Sequence, residues 1–163
     1  MKDVLKIEDI LKSLQDKVTM DEVSMLKSAY EYANNIHLDE TRLNKDPFIQ
    51  HPLHVAYILT ELNVDAITIC AALLHEVMNS KDVTKEELCQ KFGVEVANIV
   101  DSVSKINKLE LPDHSESSAI YLRKVLVGIA EDVRVLFIKL ADRLHNLRTA
   151  KVLPVEKQKQ KAN

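Results

Sequence analysis

The chain has 163 residues, of which 46% are hydrophobic, and this is the length and apolar content of about one domain with its own core. Its 25 acidic and 22 basic residues give a formal charge of −3, which does not favour direct nucleic-acid binding. No stretch approaches the ~20 apolar residues of a membrane span, and Cys70 and Cys89 lack disulfide or zinc-type spacing. We therefore predict a cytoplasmic protein that does not bind membranes.

Turn-forming residues are scarce, since the chain has two glycines, four prolines and no Asn-Gly or Asp-Gly pair, and this predicts an all-α fold. We expect Asp21 to cap the first predicted helix and Pro52 to lie in the first turn of the second. Thr84 and Glu87 predict a capping box for a short helix. The segment 109–118 has no periodicity and is predicted to be a loop. The predicted helices lie at 20–37, 52–62, 66–78, 85–92, 95–105, 119–130 and 133–150, with a last one starting at Pro154.

Residues suited to metal binding lie on three of these helices: His51 at the start of the second, His75 and Glu76 near the end of the apolar third, and Asp142 in the helix 133–150. Neutral imidazoles and carboxylates from separate helices can hold a divalent ion and leave positions for water and substrate. Adjacent helical residues point about 100° apart, so His75 and Glu76 can share an ion only at a helix end or a crowded crossing. The alternative is that His75 and Glu76 form a polar pair at a helix C-terminus and that Asp142 pairs with a neighbouring basic residue.

Residues 42–53, 71–77 and 134–149 closely resemble the HD-superfamily hydrolase domain of the RelA/SpoT alarmone enzymes. The most specific stretches read Ala-Ala-Leu-Leu-His-Glu-Val at 71–77 and Ile-Lys-Leu-Ala-Asp-Arg-Leu-His-Asn-Leu-Arg-Thr at 138–149. The resemblance covers nearly the whole chain and implies an HD-domain helical bundle of about eight helices. In that family a His, a His-Asp pair and a distant Asp hold a manganese ion that helps to hydrolyse the 3′-pyrophosphate of ppGpp. The resemblance therefore implies Mn²⁺ as the cofactor, ppGpp or pppGpp as the nucleotide, and metal ligands at His51, His75, Glu76 and Asp142.

The chain departs from this family in two places that bear on hydrolysis. The family's His-Asp is His75-Glu76 here, which moves the carboxylate one methylene further out. Hydrolase-competent members have a Glu-Asp pair shortly afterwards, where this chain has Asn79-Ser80, and neither residue can serve as a carboxylate acid or base. Asp82 lies two residues further on, at an offset of several ångströms. Because loss of one general acid or base typically costs ~10²–10⁴-fold in rate, we predict a weak or inactive hydrolase.

Three further positions match those that line the nucleoside pocket of the family, namely Arg42, Asn146 and Thr149. The resemblance assigns them to nucleotide binding, in which a guanidinium stacks on a base or grips a phosphate. The residues after Arg42 are not the small and basic ones of the family, and without the resemblance Arg42 would be read as a solvated loop charge. His145, within the same motif, is expected to be a structural histidine.

Three functional hypotheses remain open at this point. In the first, residues 1–150 form a hydrolase-like domain that regulates a ppGpp synthetase (GTP pyrophosphokinase) domain through helix packing, and residues 151–163 start the linker helix to it. In the second, the chain is an active Mn²⁺-dependent guanosine-3′,5′-bis(diphosphate) 3′-pyrophosphohydrolase that tolerates Glu76 and uses Asp82. In the third, it is an all-α interaction module that docks through its last basic helix.

Overall fold

The computed structural model describes residues 4–42, 45–80, 82–108 and 115–149. Within these residues the chain forms eight α-helices and no strand apart from an isolated β-bridge between Thr41 and Pro47, so the predicted all-α fold is confirmed. A 3₁₀ turn spans Val77–Asn79, between the fourth and fifth helices. The helices are α1 (Ile7–Ser13), α2 (Met20–Ile36), α3 (Gln50–Thr60), α4 (Ala66–Leu74), α5 (Lys85–Phe92), α6 (Val94–Asn107), α7 (Ser115–Glu131) and α8 (Val133–Thr149).

The start of α2 differs from the prediction. Thr19 is the N-cap residue, and its hydroxyl accepts the backbone N–H of Glu22 while the Glu22 carboxylate accepts the N–H of Thr19. Asp21 lies inside the first turn, so its predicted role as the cap is wrong. The Thr-x-x-Glu pattern satisfies two backbone donors at once, which a lone aspartate does not. At α5 only half of the predicted capping box is present: the Thr84 hydroxyl accepts the N–H of Glu87, whereas the Glu87 carboxylate accepts from the hydroxyl of Tyr32 at 2.9 Å.

Other boundaries also differ from the predicted ones. The short helix α1 has no counterpart among the predicted helices. α7 begins at Ser115, so the prediction of a loop is wrong for residues 115–118. The rest of that segment, 109–114, and the predicted linker helix in 151–163 lie outside the described residues. None of the helices in the described part of the chain is both long and apolar enough to cross a membrane.

The helix α4 lies at the centre of the bundle. Ile69, Leu73 and Leu74 are fully buried, and α4 contacts α2, α3 and α6. A helix that is apolar on nearly every face is stable in water only when its neighbours cover it from several sides. Since α3 packs against both α4 and α8, the start of α3, the end of α4 and the middle of α8 come close together.

Arg134 links the start of α8 to two other helices. Its guanidinium donates to Asp132 at 2.7 Å, to Glu95 on α6 at 2.6 Å and to Asp65 at 3.0 Å. Asp65 is itself the N-cap of α4, because its carboxylate accepts the N–H of Thr68. One side chain therefore ties α8 to the beginning of the central helix.

Candidate metal centre

Four side chains from three parts of the bundle meet at one point. His51 is the second residue of α3, His75 directly follows α4, and Asp142 lies in the middle of α8. One ligand-type atom from each of these residues and one from Glu76 lie within 4.8 Å of one another. The structure thus brings together all four residues that the sequence marks as metal ligands.

The end of α4 explains how two adjacent residues face the same point. The helix ends at Leu74, several residues earlier than predicted, and the chain passes into the 3₁₀ turn. Inside a continuing helix, His75 and Glu76 would diverge by about 100°. His75 Nδ1 donates to the carbonyl of Ala72 at 2.6 Å, which satisfies one of the carbonyl groups that a helix end leaves unpaired.

The distances within the cluster are those of groups in direct contact. His51 Nε2 lies 3.1 Å from Asp142 Oδ1 and 3.9 Å from Glu76 Oε1. His75 Nε2 lies 3.4 Å from the same Glu76 oxygen. Both imidazoles are buried, whereas the side chain of Glu76 is 18% exposed, so the cluster meets solvent mainly at this carboxylate.

An unpaired nitrogen indicates that these residues fit a metal ion. Because His75 Nδ1 donates to a carbonyl, its Nε2 faces the cluster, where it has no hydrogen-bond partner among the described residues. Its contact with Glu76 is not directed as a hydrogen bond. A buried polar atom left in this state costs about 1–3 kcal/mol, and a bound cation would remove that cost. Two imidazole nitrogens with two carboxylate oxygens form a donor set that suits divalent first-row metals.

The electrostatics of the cluster favour a neutral His51. Burial lowers the pKa of this imidazole to about 4, although Asp142 opposes the shift, so its nitrogen is free to act as a ligand at neutral pH. Burial would also lower the pKa of His75, but Glu76, Asp142 and the carbonyl of Ala72 together outweigh it and raise that pKa. Burial would raise the pKa of Glu76, yet the neighbouring His75 holds it below its usual value. A cation at this point would therefore compete with the proton that His75 and Glu76 attract.

Asp142 has the contacts of an ion pair as well as those of a metal ligand. Lys139 Nζ donates to Asp142 Oδ2 at 2.9 Å, and Asn146 Nδ2 donates to Oδ1 at 2.8 Å. Burial would raise the pKa of Asp142, but the contact with His51 and nearby positive charge, including that of Lys139, hold it well below its usual range. The sequence alternative, in which Asp142 pairs with a basic neighbour, is thus present as the contact with Lys139. Asp142 nevertheless also contacts His51 in the cluster.

Arg42 reaches the same region and is half-buried, which a solvated loop charge would not be. Its Nη2 donates to Asn146 Oδ1 at 2.8 Å, and its Nη1 lies 3.2 Å from His145 Nδ1. His145 Nδ1 in turn lies 2.8 Å from His51 Nδ1, so the residue expected to be a structural histidine contacts one of the four residues of the cluster. The hydroxyl of Thr149 donates to the carbonyl of His145 at 3.0 Å, within α8. Arg42 and Asn146 are therefore paired beside the cluster, while Thr149 lies one turn further along the helix.

The sequence pattern of a known family, the HD domain, matches residues 29–163. The chain belongs to the HD-domain family. The "Guanosine-3′,5′-bis(diphosphate) 3′-pyrophosphohydrolase" of Vibrio cholerae is 42% identical to it over 152 residues, which are 93% of this chain and 22% of that protein. The "Bifunctional (p)ppGpp synthase/hydrolase SpoT" of Escherichia coli is 39% identical over the same shares of the two chains. The "GTP pyrophosphokinase rsh" of Brucella melitensis is 44% identical over 134 residues, which are 82% of this chain and 18% of that protein.

This HD domain spans about a fifth of the length of these curated relatives. A solved structure described as "A metazoan ortholog of SpoT hydrolyzes ppGpp and plays a role in starvation responses" is similar to it with a TM-score of 0.67 and 28% identity. That similarity covers 84% of this chain and 79% of the other. The resemblance to the RelA/SpoT type of HD domain, drawn above from three stretches of sequence, is therefore confirmed.

The two residues that the resemblance places at the positions of the family's catalytic acids, Asn79 and Ser80, follow the cluster closely. Asn79 is exposed at the end of the 3₁₀ turn, and its Nδ2 donates to Glu76 Oε2. The backbone N–H of Ser80 donates to the carbonyl of Val77 at 3.1 Å and closes the turn. Sequence reasoning does not predict the contact between Asn79 and Glu76, although their spacing of three residues is one at which side chains within a helical turn meet.

Proposed function

We propose that this HD domain binds a divalent metal ion through His51, His75, Glu76 and Asp142, and that the ion is Mn²⁺. The observation that carries the proposal is the unpaired Nε2 of His75, which faces two carboxylates and a second imidazole. When bound, such an ion would activate water and offset charge on phosphate oxygens. The two carboxylates balance the charge of a divalent ion, and four protein ligands leave coordination positions for water and a phosphate group.

The nucleotide that we propose for this site is ppGpp or pppGpp. Three of the similar proteins carry ppGpp, (p)ppGpp or the chemical name in their descriptions, one each from Vibrio cholerae, Escherichia coli and a metazoan. Arg42 and Asn146 lie beside the cluster and offer a guanidinium and an amide to a nucleotide whose phosphate meets the metal. Thr149, one turn further along α8, would extend this surface.

We propose further that hydrolysis is weak or absent and that the domain regulates a ppGpp synthetase domain. The reason is chemical, since neither the amide of Asn79 nor the hydroxyl of Ser80 can exchange a proton at neutral pH as a carboxylate does. The Brucella relative is named a GTP pyrophosphokinase and the Escherichia coli relative a synthase and hydrolase, and this chain matches about a fifth of each. Regulation would then pass through helices packed between the two domains.

An active Mn²⁺-dependent ppGpp 3′-pyrophosphohydrolase is the second candidate. It is favoured by the four ligand-type residues, which are all present and in contact. In this case Asp82, two residues beyond Ser80, would supply the missing carboxylate.

Pyrophosphate release from ppGpp in the presence of Mn²⁺ separates the two candidates. We expect the wild-type chain to release no more than Asp142→Ala, which lacks a proposed metal ligand. We expect Asn79→Glu with Ser80→Asp to raise the rate by ~10²–10⁴-fold, and Asn79→Gln with Ser80→Asn, of matched size but without charge, to leave it unchanged. Wild-type release that Asp142→Ala abolishes would instead establish the active enzyme.

Metal binding itself is tested separately, by titration calorimetry with MnCl₂ on the wild-type chain and on Asp142→Ala. Heat of binding that is present in the first and absent in the second would support the metal site whatever the rate of hydrolysis. Equal signals from the two chains would overturn the site.

A further inference from the structure

Two residues outside the proposed ligand set form a chain of contacts that ends on a ligand. Arg42 Nη1 lies 3.2 Å from His145 Nδ1, and the same nitrogen lies 2.8 Å from His51 Nδ1. His51 and His145 are both buried, so these contacts are not exchanged for water. Neutrality alone does not make His51 a ligand, because its hydrogen must be on Nδ1 for Nε2, the nitrogen that faces Asp142, to keep its lone pair.

The direction of each hydrogen in this chain is dictated by Arg42. A guanidinium has only donor groups, so His145 Nδ1 must accept from it. A neutral imidazole has one donor and one acceptor nitrogen, which places the hydrogen of His145 on Nε2. Two nitrogens 2.8 Å apart share one hydrogen, and since His145 Nδ1 carries none, His51 Nδ1 is the donor and shares the single lone pair of His145 Nδ1 with Arg42. The lone pair of His51 is therefore on Nε2, 3.1 Å from Asp142 Oδ1.

This arrangement is unexpected in the absence of a cation. If the hydrogen of His51 were on Nε2, it would form a hydrogen bond to Asp142, a group with lone pairs and no donor when ionised. Instead a lone pair faces a carboxylate, which is unfavourable unless a cation lies between them. The contacts with His145 and Arg42 keep the hydrogen of His51 on Nδ1. Without them, a hydrogen on Nε2 would bond to Asp142 and block that nitrogen as a metal ligand.

We propose that Arg42 and His145 are positioning residues that fix His51 in the tautomer with its hydrogen on Nδ1, so that Nε2 can bind the metal. The inference rests on the proposed function in so far as it concerns the metal, but the tautomer itself is a property of the metal-free chain. Arg42 would then affect the metal indirectly, through His145 and His51. This chain of contacts also explains why a histidine, with a nitrogen able to accept, occupies position 145.

The tautomer of His51 can be measured directly in the metal-free full chain by long-range ¹H–¹⁵N NMR near neutral pH, because protonated and unprotonated ring nitrogens have distinct ¹⁵N shifts. We expect the hydrogen on Nδ1 in the wild type. In His145→Leu we expect it to move to Nε2, and Mn²⁺ affinity to fall by about 10–100-fold, as is typical for partners that orient a metal ligand. His145→Asn keeps an acceptor oxygen near the position of Nδ1, so it should retain both the tautomer and most of the affinity.

Arg42→Met is a second variant, which leaves all histidines in place and covers the case in which His145→Leu does not fold. Without the guanidinium the hydrogen between the two imidazoles can reverse, so we expect a mixture of His51 tautomers and weaker Mn²⁺ binding. A wild-type His51 with its hydrogen on Nε2, or unchanged tautomer and affinity in the variants, would overturn the inference. If wild-type chain binds no Mn²⁺ but the tautomer still responds to His145→Leu, the proposed metal site fails and the control of His51 stands.

Discussion

Replacement of Asp142 by asparagine separates a metal ligand from an ion-pair partner. The amide has the size of the carboxylate but lacks its charge. In the wild type, Asp142 Oδ2 accepts from Lys139 at 2.9 Å, and Oδ1 accepts from Asn146 at 2.8 Å while facing His51 Nε2 at 3.1 Å. The substitution weakens the contact with Lys139, because the charge is lost. Its new Nδ2 group can donate to the lone pair of His51, but only if the bond from Asn146 is lost.

In the metal-free chain the two hydrogen-bond changes offset each other, and the lost charge decides the net effect. Loss of the charge opposite Lys139 costs about 1–2 kcal/mol, because the side chain of Lys139 is 24% exposed and water screens the pair. The lost bond from Asn146 and the gained bond to His51 are each worth about 1 kcal/mol. We therefore expect Asp142→Asn to lower the free energy of unfolding by about 1–2 kcal/mol without added metal.

The response to metal is where the variant should differ most. At Mn²⁺ concentrations about 100 times Kd, a ligand that binds only the folded state stabilises it by about 2.7 kcal/mol. For a domain of this length that corresponds to a rise in Tm of about 5–10 °C. We expect this rise in the wild type and its near-complete loss in Asp142→Asn, in thermal unfolding followed by circular dichroism with and without MnCl₂.

Asp101→Asn is the matched control for this experiment. Asp101 is a partly buried aspartate on α6 that accepts from Lys105 at 2.8 Å and lies 3.4 Å from Lys85, so Asp101→Asn also weakens an ion pair, a more exposed one that lies outside the cluster. Its Tm should fall, and its rise with MnCl₂ should equal that of the wild type. The reasoning is refuted if the wild type shows no rise, or if Asp142→Asn keeps the rise that Asp101→Asn shows.

Three further outcomes concern contacts away from the cluster. Leu73→Ala should lower the free energy of unfolding by about 2–5 kcal/mol in urea titrations, since it leaves a cavity in the central helix, and a loss below about 1 kcal/mol would contradict its central place. Burial raises the pKa of Cys70 to about 12, so mass spectrometry should find its thiol unalkylated by iodoacetamide until the chain unfolds. Arg134 holds the pKa of Asp132 below its usual value, which adds stability above about pH 4 that is lost as the pH falls through the folded-state pKa. Arg134→Met should therefore flatten the acid side of the pH–stability curve, and an unchanged curve would argue against the ion pairs.

The helices were predictable where periodicity and packing coincide, and less so where the chain changes direction. Val77 and Met78 continue the apolar run of α4, and both pack against the core from the 3₁₀ turn. Hydrophobicity alone therefore cannot mark the end of α4 at Leu74. The end of α4 at Leu74 is also what allows His75 and Glu76 to face one point. The pattern of apolar residues therefore did not predict the helix end on which the cluster depends.

The ligand-type residues of the candidate site were predictable because their chemistry suits a metal and because the motifs around them resemble those of a known family. His51, His75, Glu76 and Asp142 are of types that bind metals, and the motif around each is specific. The contact of His145 with His51 joins residues 94 positions apart in the chain and depends on how α3 packs against α8. No spacing rule within one helix could indicate it.

The residues at the two places where the resemblance predicts a departure from the family, Glu76 and Asn79, contact each other in the folded chain. Glu76 carries a longer side chain than aspartate, and Asn79 donates its amide N–H to one oxygen of that carboxylate while the other faces the imidazoles. A glutamate at position 79 would instead set two carboxylates against each other, and at close range that repulsion is substantial even near the surface. Asn79→Glu with Ser80→Asp therefore removes the amide that donates to Glu76 and places a negative charge in its position. If Asn79→Glu with Ser80→Asp stays inactive, adding Glu76→Asp, which withdraws the carboxylate by one methylene, should restore ppGpp hydrolysis. Failure of the triple variant in a chain that still binds Mn²⁺ would place the defect outside this turn.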